Sequence, residues 1–116
     1  MMNPSRGEVW RVRFDPQIGA EIRKIRPALV VSVDAVGVLP LRVVTPITEW
    51  RAKYQTAPWL VYLAPDQFNG LDKESAADCF QVKSVSVGRF QSRIGMVSAE
   101  VLAEVAAGIA LCVGYR

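Results

Sequence analysis

Short apolar runs rich in β-branched residues, separated by turn-forming residues, place the strongest constraint on how this chain folds. Residues 8–14 alternate between two faces, which predicts a half-buried strand. One face carries Trp10, Val12 and Phe14, and the other carries Val9, Arg11 and Arg13. Residues 28–33 and 41–47 are continuous apolar runs, typical of buried strands. The short polar segment 34–40 between them predicts a hairpin.

Three further segments complete the predicted sheet. Residues 59–63 form one strand, residues 75–85 form one or two strands broken near Gln81, and residues 94–97 extend the last sheet. Long polar loops separate the strands, and such loops often carry function. These loops cover residues 17–26, 48–58 and 66–74.

A single helix is predicted at the C-terminal end. Ser98 is a suitable N-cap, and Glu100 places a carboxylate in the first turn, where it complements the helix dipole. The helix is expected to run to about Val113 and to end at Gly114. One apolar face recurs at helical spacing and should pack on the sheet: Val101, Leu102, Val105, Ile109 and Cys112. Short strands followed by one helix describe a mostly β protein, a small β-barrel with a terminal helix.

Length and residue counts limit the chemistry. The 116 residues suit a single domain spanning residues 1–116. The chain has no histidine, which excludes Ser-His-Asp and Cys-His nucleophiles, paired-imidazole ribonuclease chemistry and His-containing zinc sites. Cys79, on a predicted strand, and Cys112, on the helix, are too few for a four-thiolate zinc site. We therefore expect two core thiols, no bound metal and no cofactor.

Charge and hydropathy indicate the kind of partner. Fourteen Lys and Arg residues against eleven Asp and Glu residues give a net charge of +3, which suits an anionic partner without requiring one. The excess of bases lies in the predicted β region, because residues 94–116 contain only Glu100, Glu104 and Arg116 as charged residues. No apolar stretch approaches the roughly 20 residues of a membrane span, and the first residues lack a signal-peptide pattern. We expect a cytoplasmic protein with no membrane partner.

Five sequence blocks follow one another at a distinctive spacing. The blocks are Arg6-Gly7-Glu8-Val9-Trp10, Phe14-Asp15-Pro16 with Gly19 and Glu21, Arg26-Pro27-Ala28-Leu29-Val30-Val31-Ser32, Pro46-Ile47-Thr48, and residues 75–85. They span roughly residues 6–95. In this order and spacing they resemble the MazF/PemK-like toxins of type II toxin–antitoxin systems. The resemblance implies an SH3-like barrel of the CcdB/PemK type, a homodimer and a MazE-like antitoxin. It also implies sequence-specific, metal-independent cleavage of single-stranded RNA, whether messenger, ribosomal or transfer RNA.

The resemblance assigns the catalytic roles. Arg26 matches the family's catalytic arginine, whose guanidinium can donate two hydrogen bonds to the scissile phosphate. Thr48 matches the second catalytic position, where a hydroxyl can bond the same phosphate. The alternatives are a surface arginine at a loop end and a threonine that caps the following turn.

The resemblance also implies that the RNA's own 2′-OH attacks the adjacent phosphorus, which leaves a 2′,3′-cyclic phosphate and a 5′-OH. The group that accepts the proton from this 2′-OH is left open between two carboxylates. Glu21 in the first long loop and Asp78 in a predicted strand are the nearest carboxylates to the matching motifs. Asp78 is equally well explained as a buried, hydrogen-bonded structural residue. Water can also take the proton if Arg26 provides most of the acceleration.

Further residues are candidates for RNA contacts. Lys83 is a basic candidate for phosphate contact, as are four cations in or beside two long loops, where the RNA backbone could pass: Arg23, Lys24, Arg51 and Lys53. Lys83 stands where many relatives carry arginine, so it supplies a point charge instead of a planar fork. Trp50 and Phe68, with Tyr54 and Phe80, are candidates for base stacking, and Ser75 and Gln81 are candidates for contacting a base edge. Trp10, Phe14 and Trp59 are assigned to the core.

Two other functions remain open from the sequence. A CcdB-like toxin on the same barrel would bind a protein target such as DNA gyrase without cutting RNA. A degenerate relative would bind RNA without cleaving it, an alternative that Lys83 keeps open. The presence of Arg26 and Thr48 at the matching positions favours cleavage.

Overall fold

The computed structural model describes residues 2–14 and 25–115, which form an antiparallel β structure with one terminal helix. The strands are β1 (Glu8–Arg13), β2 (Ile25–Val30), β3 (Leu41–Glu49), β4 (Leu60–Leu63), β5 (Ser75–Asp78), β6 (Lys83–Ser86) and β7 (Phe90–Met96), and the helix is α1 (Ala99–Cys112). The strand order is β4-β5-β3-β2-β1-β7, and β6 pairs with β3. The predicted fold class, mostly β with a terminal helix, is confirmed.

The long strand β3 changes partners along its length. It pairs with β6 through residues 41–44, with β2 through residues 44–46, and with β5 through residues 47–49. Ala28 opposite Pro46 is the last pair between β2 and β3, so the first three residues of β2 have no partner on β3. The sheet therefore splits open beyond this pair, with the start of β2 on one side and the end of β3 on the other.

Strand β1 is half-buried, as predicted: Trp10 and Val12 of its apolar face are buried, whereas Arg11 of the opposite face is exposed. It lies between β2 and β7, and register shifts occur on its β7 side after Val9 and after Arg11. Val9 is fully buried in a cluster beneath α1, while Trp10 and Val12 are buried in a second cluster with Phe90. Alternation correctly separated the two faces, and Val9 is the residue of the opposite face that is buried against the first cluster.

The helix forms and packs as the sequence predicts. The Ser98 hydroxyl oxygen accepts a hydrogen bond from the backbone N–H of Val101 at 3.1 Å, and Gly114 has a φ of +73° after the last turn. All five residues of the predicted apolar face pack in or against the first cluster. Within the described residues, no helix has the length and apolar character needed to cross a membrane.

Cys79 and Trp59 differ from their predicted settings. Cys79 lies in a 3-10 turn, Cys79–Gln81, which forms the expected break between β5 and β6. Its thiol is fully buried and packs against Gly108 of α1, so its prediction as a core thiol is confirmed. The sequence assigns Trp59 to the core, but this residue is 39% exposed, because it precedes strand β4, which among the described residues pairs only with β5.

Candidate nucleic-acid interface

Two adjoining clefts open where β2 and β3 separate. The first cleft has a volume of about 410 Å³ and is lined by Phe14, Arg26, Pro46, Ile47, Thr48, Tyr54, Asp78, Gln81 and Lys83. The second has a volume of about 380 Å³ and is lined by Arg26, Pro27, Ile47, Thr48, Glu49, Arg51, Leu71, Asp72, Lys73 and Ser75. Arg26, Ile47 and Thr48 line both clefts and so form the wall that they share.

The shared wall carries the two residues predicted to be catalytic. Arg26 lies near the start of β2, where the strand pairs with β1 but has no partner on β3, and is exposed; Thr48 lies near the end of β3 opposite Ala76. Across residues 2–14 and 25–115, no hydrogen bond or ion pair engages the Arg26 guanidinium or the Thr48 hydroxyl. A guanidinium and a hydroxyl with unused hydrogen-bonding capacity at one site can both bind a phosphate.

Lys83 contributes a second positive charge to the first cleft. It begins β6, opposite Val44 of β3, and is exposed. Its ammonium lies 5.5 Å from the centre of the Phe14 ring, within the range of a cation–π contact. Phe14, assigned to the core from sequence, is only partly buried against the second cluster and lines the cleft. The ring therefore holds the lysine beside the opening.

Asp78 and Gln81 form a hydrogen-bonded unit on the first cleft. One Asp78 carboxylate oxygen accepts from the backbone N–H of Phe80 at 3.1 Å, and the other accepts from the Gln81 side-chain amide at 2.8 Å. The first bond caps the 3-10 turn. Both oxygens of Asp78 are thus engaged within the protein, which favours a positioning role for this carboxylate over acceptance of a proton.

Ser75 lines the second cleft but is nearly fully buried. Its hydroxyl donates a hydrogen bond to the carbonyl oxygen of Lys73 at 2.8 Å, and its backbone is paired on both sides in β5. The hydroxyl oxygen keeps its capacity to accept a hydrogen bond. The Ser75 hydroxyl can therefore accept a hydrogen bond from a molecule in the cleft but cannot donate one, because its hydrogen is bonded to the Lys73 carbonyl oxygen.

Trp50, Lys53 and Phe68 line neither of the two clefts. Trp50 makes edge contacts with Tyr54 and Tyr62, at ring-centre distances of 5.7 and 5.0 Å. The Trp50 ring thereby supports Tyr54, whose side chain reaches the first cleft. The other predicted site residues, Glu21, Arg23 and Lys24, lie outside the described residues.

Two basic residues line the second cleft, and sequence reasoning missed one of them. Arg51 is a candidate from the sequence, whereas Lys73 is not singled out there, and both line this cleft. Lys73 also forms an ion pair with Glu49 at 3.6 Å, with both side chains more than half exposed. The available signal was the place of Lys73 in the predicted loop 66–74, just before a strand. Within the described part of the chain, no three His, Cys, Asp or Glu residues are grouped so as to hold a metal ion.

Comparisons with known proteins place this geometry in a family. A family model described as PemK-like, MazF-like toxin of type II toxin–antitoxin system matches residues 5–113. The chain is 36% identical over 105 residues to Endoribonuclease MazF9 of Mycobacterium tuberculosis, which covers 85% of this chain and 86% of the relative.

Solved structures agree with the family match. A MazE–MazF structure (form II) from Deinococcus radiodurans superposes with a TM-score of 0.81 at 28% identity and full coverage of both chains. MazF (form I) from the same organism gives a TM-score of 0.76 at 28% identity, covering 98% of this chain and 99% of its own. The Mycobacterium tuberculosis toxin MazF-mt6 shares the fold, with a TM-score of 0.75 at 21% identity over 94% of this chain and 98% of its own. The chain therefore belongs to the PemK-like, MazF-like toxins of type II toxin–antitoxin systems.

Proposed function

We propose that this toxin is an endoribonuclease that cuts single-stranded RNA at short sequences, without a metal ion. The substrate's own 2′-OH gives up its proton and attacks the adjacent phosphorus, and the bond to the 5′ oxygen of the next nucleotide breaks. That oxygen takes a proton from water, so the products end in a 2′,3′-cyclic phosphate and a 5′-OH. Because the RNA supplies the nucleophile, the enzyme must provide positioning and charge stabilisation. The 36% identity to a protein named as an endoribonuclease supports this activity.

The single observation that carries the proposal is the placement of Arg26 and Thr48 on the wall shared by the two clefts. A scissile phosphate at this wall has one flanking nucleotide in each cleft. The Arg26 guanidinium then donates hydrogen bonds to the non-bridging oxygens, on which negative charge builds during the attack, and the Thr48 hydroxyl bonds the same group. Neither side chain has to break an internal bond within the described structure to do so.

The flanking clefts suit a negatively charged strand. Lys83 borders the first cleft, and Arg51 and Lys73 border the second, so each cleft offers a cation to the neighbouring phosphates. Tyr54 gives the first cleft an aromatic ring on which an unstacked base can rest. Asp78 already accepts two hydrogen bonds, which leaves Glu21, or water, as the proposed acceptor of the 2′-OH proton.

Two protein partners follow from the family. The MazE–MazF structures from Deinococcus radiodurans pair a toxin of this fold with MazE, and we extend that pairing to a MazE-like antitoxin for this chain. An acidic antitoxin segment lying across the clefts would compete with RNA for Arg26 and Lys83, the exposed cations of the first cleft. We also propose that the toxin functions as a homodimer.

Incubation of the purified protein with a long single-stranded RNA in EDTA, followed by sequencing of the cut ends, tests the proposal. Wild type is expected to cut at one short motif and to leave cyclic-phosphate and 5′-hydroxyl ends. Arg26→Ala should slow cleavage about 10²–10³-fold, as removal of one oxyanion donor commonly does.

Arg93→Ala is the charge-matched control. Arg93 lies on β7, lines neither of the two clefts, and contacts Glu8 in a partly exposed ion pair at 3.0 Å. This variant should cut like wild type. A folded wild-type protein that cuts no RNA contradicts the proposed activity, and an Arg26→Ala variant that cuts at the normal rate removes Arg26 from the mechanism.

A further inference from the structure

We propose that Asp78 sets the base specificity of the first cleft by fixing which end of the Gln81 amide faces the RNA. This inference rests on the proposed ribonuclease function and concerns a residue that acts through its neighbour. Asp78 is therefore a positioning residue, and Gln81 is the residue that reads the base.

The orientation of Gln81 follows from hydrogen-bond chemistry. A carboxylate only accepts hydrogen bonds, so the amide nitrogen of Gln81 must face Asp78, as the 2.8 Å contact between Nε2 and Oδ2 shows. The amide oxygen Oε1 is then turned away from Asp78. Within the described part of the chain, this oxygen accepts no hydrogen bond, and the exposed Gln81 side chain lines the first cleft.

The Asp78 carboxylate is itself held in place. Its other oxygen, Oδ1, accepts the backbone N–H of Phe80 at 3.1 Å as the cap of the 3-10 turn. Asp78 and Gln81 are therefore tied to the same turn from its two ends, and free rotation of the amide is suppressed.

A fixed acceptor discriminates between two classes of base. Adenine and cytosine carry an amino group that donates a hydrogen bond, whereas uracil and guanine carry a carbonyl oxygen at the equivalent position. We infer that the outward Oε1 of Gln81 faces the 6-position of a purine or the 4-position of a pyrimidine, where it favours the amino bases and repels the carbonyl of the keto bases. We expect adenine or cytosine at the nucleotide that occupies this cleft, beside the cut bond.

The substitution Asp78→Asn should invert this preference. The introduced asparagine can keep its oxygen on the Phe80 N–H, which places its NH₂ group where the second carboxylate oxygen was. Two NH₂ groups cannot face each other productively, so the Gln81 amide rotates to present its oxygen to the asparagine and its NH₂ group to the RNA. The cleft then favours uracil or guanine.

The decisive test is the sequence of the cut ends produced from a randomised single-stranded RNA. Wild type is expected to favour amino bases at one position beside the cut, and Asp78→Asn is expected to favour keto bases there, each by about 5- to 100-fold. The double variant Asp78→Asn with Gln81→Glu should restore the amino preference, because the introduced glutamate accepts from the introduced asparagine and turns its second oxygen to the RNA. A purely structural role for Asp78 would not produce this reversal and rescue.

Asp66→Asn is the matched control. Asp66 also caps a turn, accepting the N–H groups of Phe68 and Asn69 at 2.8 Å each, but it lines neither of the two clefts. It should leave the motif unchanged. If the Asp78 variants fail to fold, Gln81→Ala replaces them in the test, because Gln81 is exposed and its removal should not affect folding. This variant should lose the preference for amino bases at the nucleotide that occupies the first cleft.

The outcomes separate the two proposals. An unchanged motif in folded Asp78→Asn protein overturns the positioning role while leaving the ribonuclease function intact, as does an unchanged motif in Gln81→Ala protein. Loss of all cutting in folded Asp78→Asn protein also overturns it and assigns Asp78 to proton transfer. Absence of cutting by wild type defeats the ribonuclease proposal and this inference with it.

Discussion

The contact between helix α1 and the turn that carries Gln81 can be tested through Gly108. A Cβ atom at this position would lie 2.7 Å from Cys79 Sγ, which is closer than a side-chain carbon approaches a sulfur atom. It would also lie 3.3 Å from Cys79 Cβ. Cys79 is fully buried and hydrogen-bonds through its thiol to the Val105 carbonyl at 3.4 Å, so it cannot swing away freely. Gly108→Ala therefore overpacks the contact between helix α1 and the turn Cys79–Gln81.

Two opposing free energies set the magnitude. Alanine in place of glycine inside a helix stabilises by about 1 kcal/mol, and overpacking a close-packed core costs about 1–3 kcal/mol. We expect Gly108→Ala to lower the free energy of unfolding by up to about 2 kcal/mol. Cys79→Ala removes the sulfur, so the double variant should recover the helix gain without the clash.

Urea unfolding of wild type, both single variants and the double variant gives the interaction free energy. We expect a coupling of at least about 1 kcal/mol, with the double variant more stable than the sum of the single effects predicts. Additive single effects within about 0.3 kcal/mol would refute the reasoning, because independent sites add and contacting sites do not. A Gly108→Ala protein more stable than wild type would show that the turn yields at little cost.

Two further predictions concern Lys83 and the two thiols. Lys83→Ala should weaken RNA binding and reduce the slope of log affinity against log salt by about 0.7, measured by titration at several salt concentrations, and an unchanged slope would remove Lys83 from the phosphate contacts. Burial, with smaller contributions from Cys112 and the Asp78 carboxylate, raises the pKa of Cys79 to about 12, so it stays protonated at about pH 8. A thiol reagent at about pH 8 should modify Cys112, which is partly exposed beside Phe80, and should reach Cys79 only after unfolding. Rapid modification of both thiols in the native protein would contradict this picture.

Local patterns in the sequence were sufficient for the elements and the main assignments. The hairpin of β2 and β3, the break near Gln81 and the apolar face of α1 were all predicted, because strand alternation and helical spacing depend on neighbouring residues. Arg26 and Thr48 were singled out through a resemblance in sequence, and they lie together on the wall between the two clefts. The capped start of α1 at Ser98 is equally local.

The site as a whole depends on contacts between residues far apart in the chain. The clefts exist because β3 leaves β2 beyond Pro46 and pairs with β5, a change of partner that no local pattern records. The same curvature buries Val9, on the opposite face of β1 from Trp10, in the cluster beneath α1 and leaves Phe14 beside Lys83 instead of deep in the core.

The role of Asp78 also depends on the folded structure and not on the local sequence. The sequence could not decide whether Asp78 accepts a proton or has a structural role, because the role of a carboxylate depends on what its oxygens contact. In the folded chain, one oxygen caps a turn and the other holds the amide of Gln81. Residue type and spacing establish which groups a chain can offer, whereas the direction in which each group points depends on strands and turns that meet only when the chain folds.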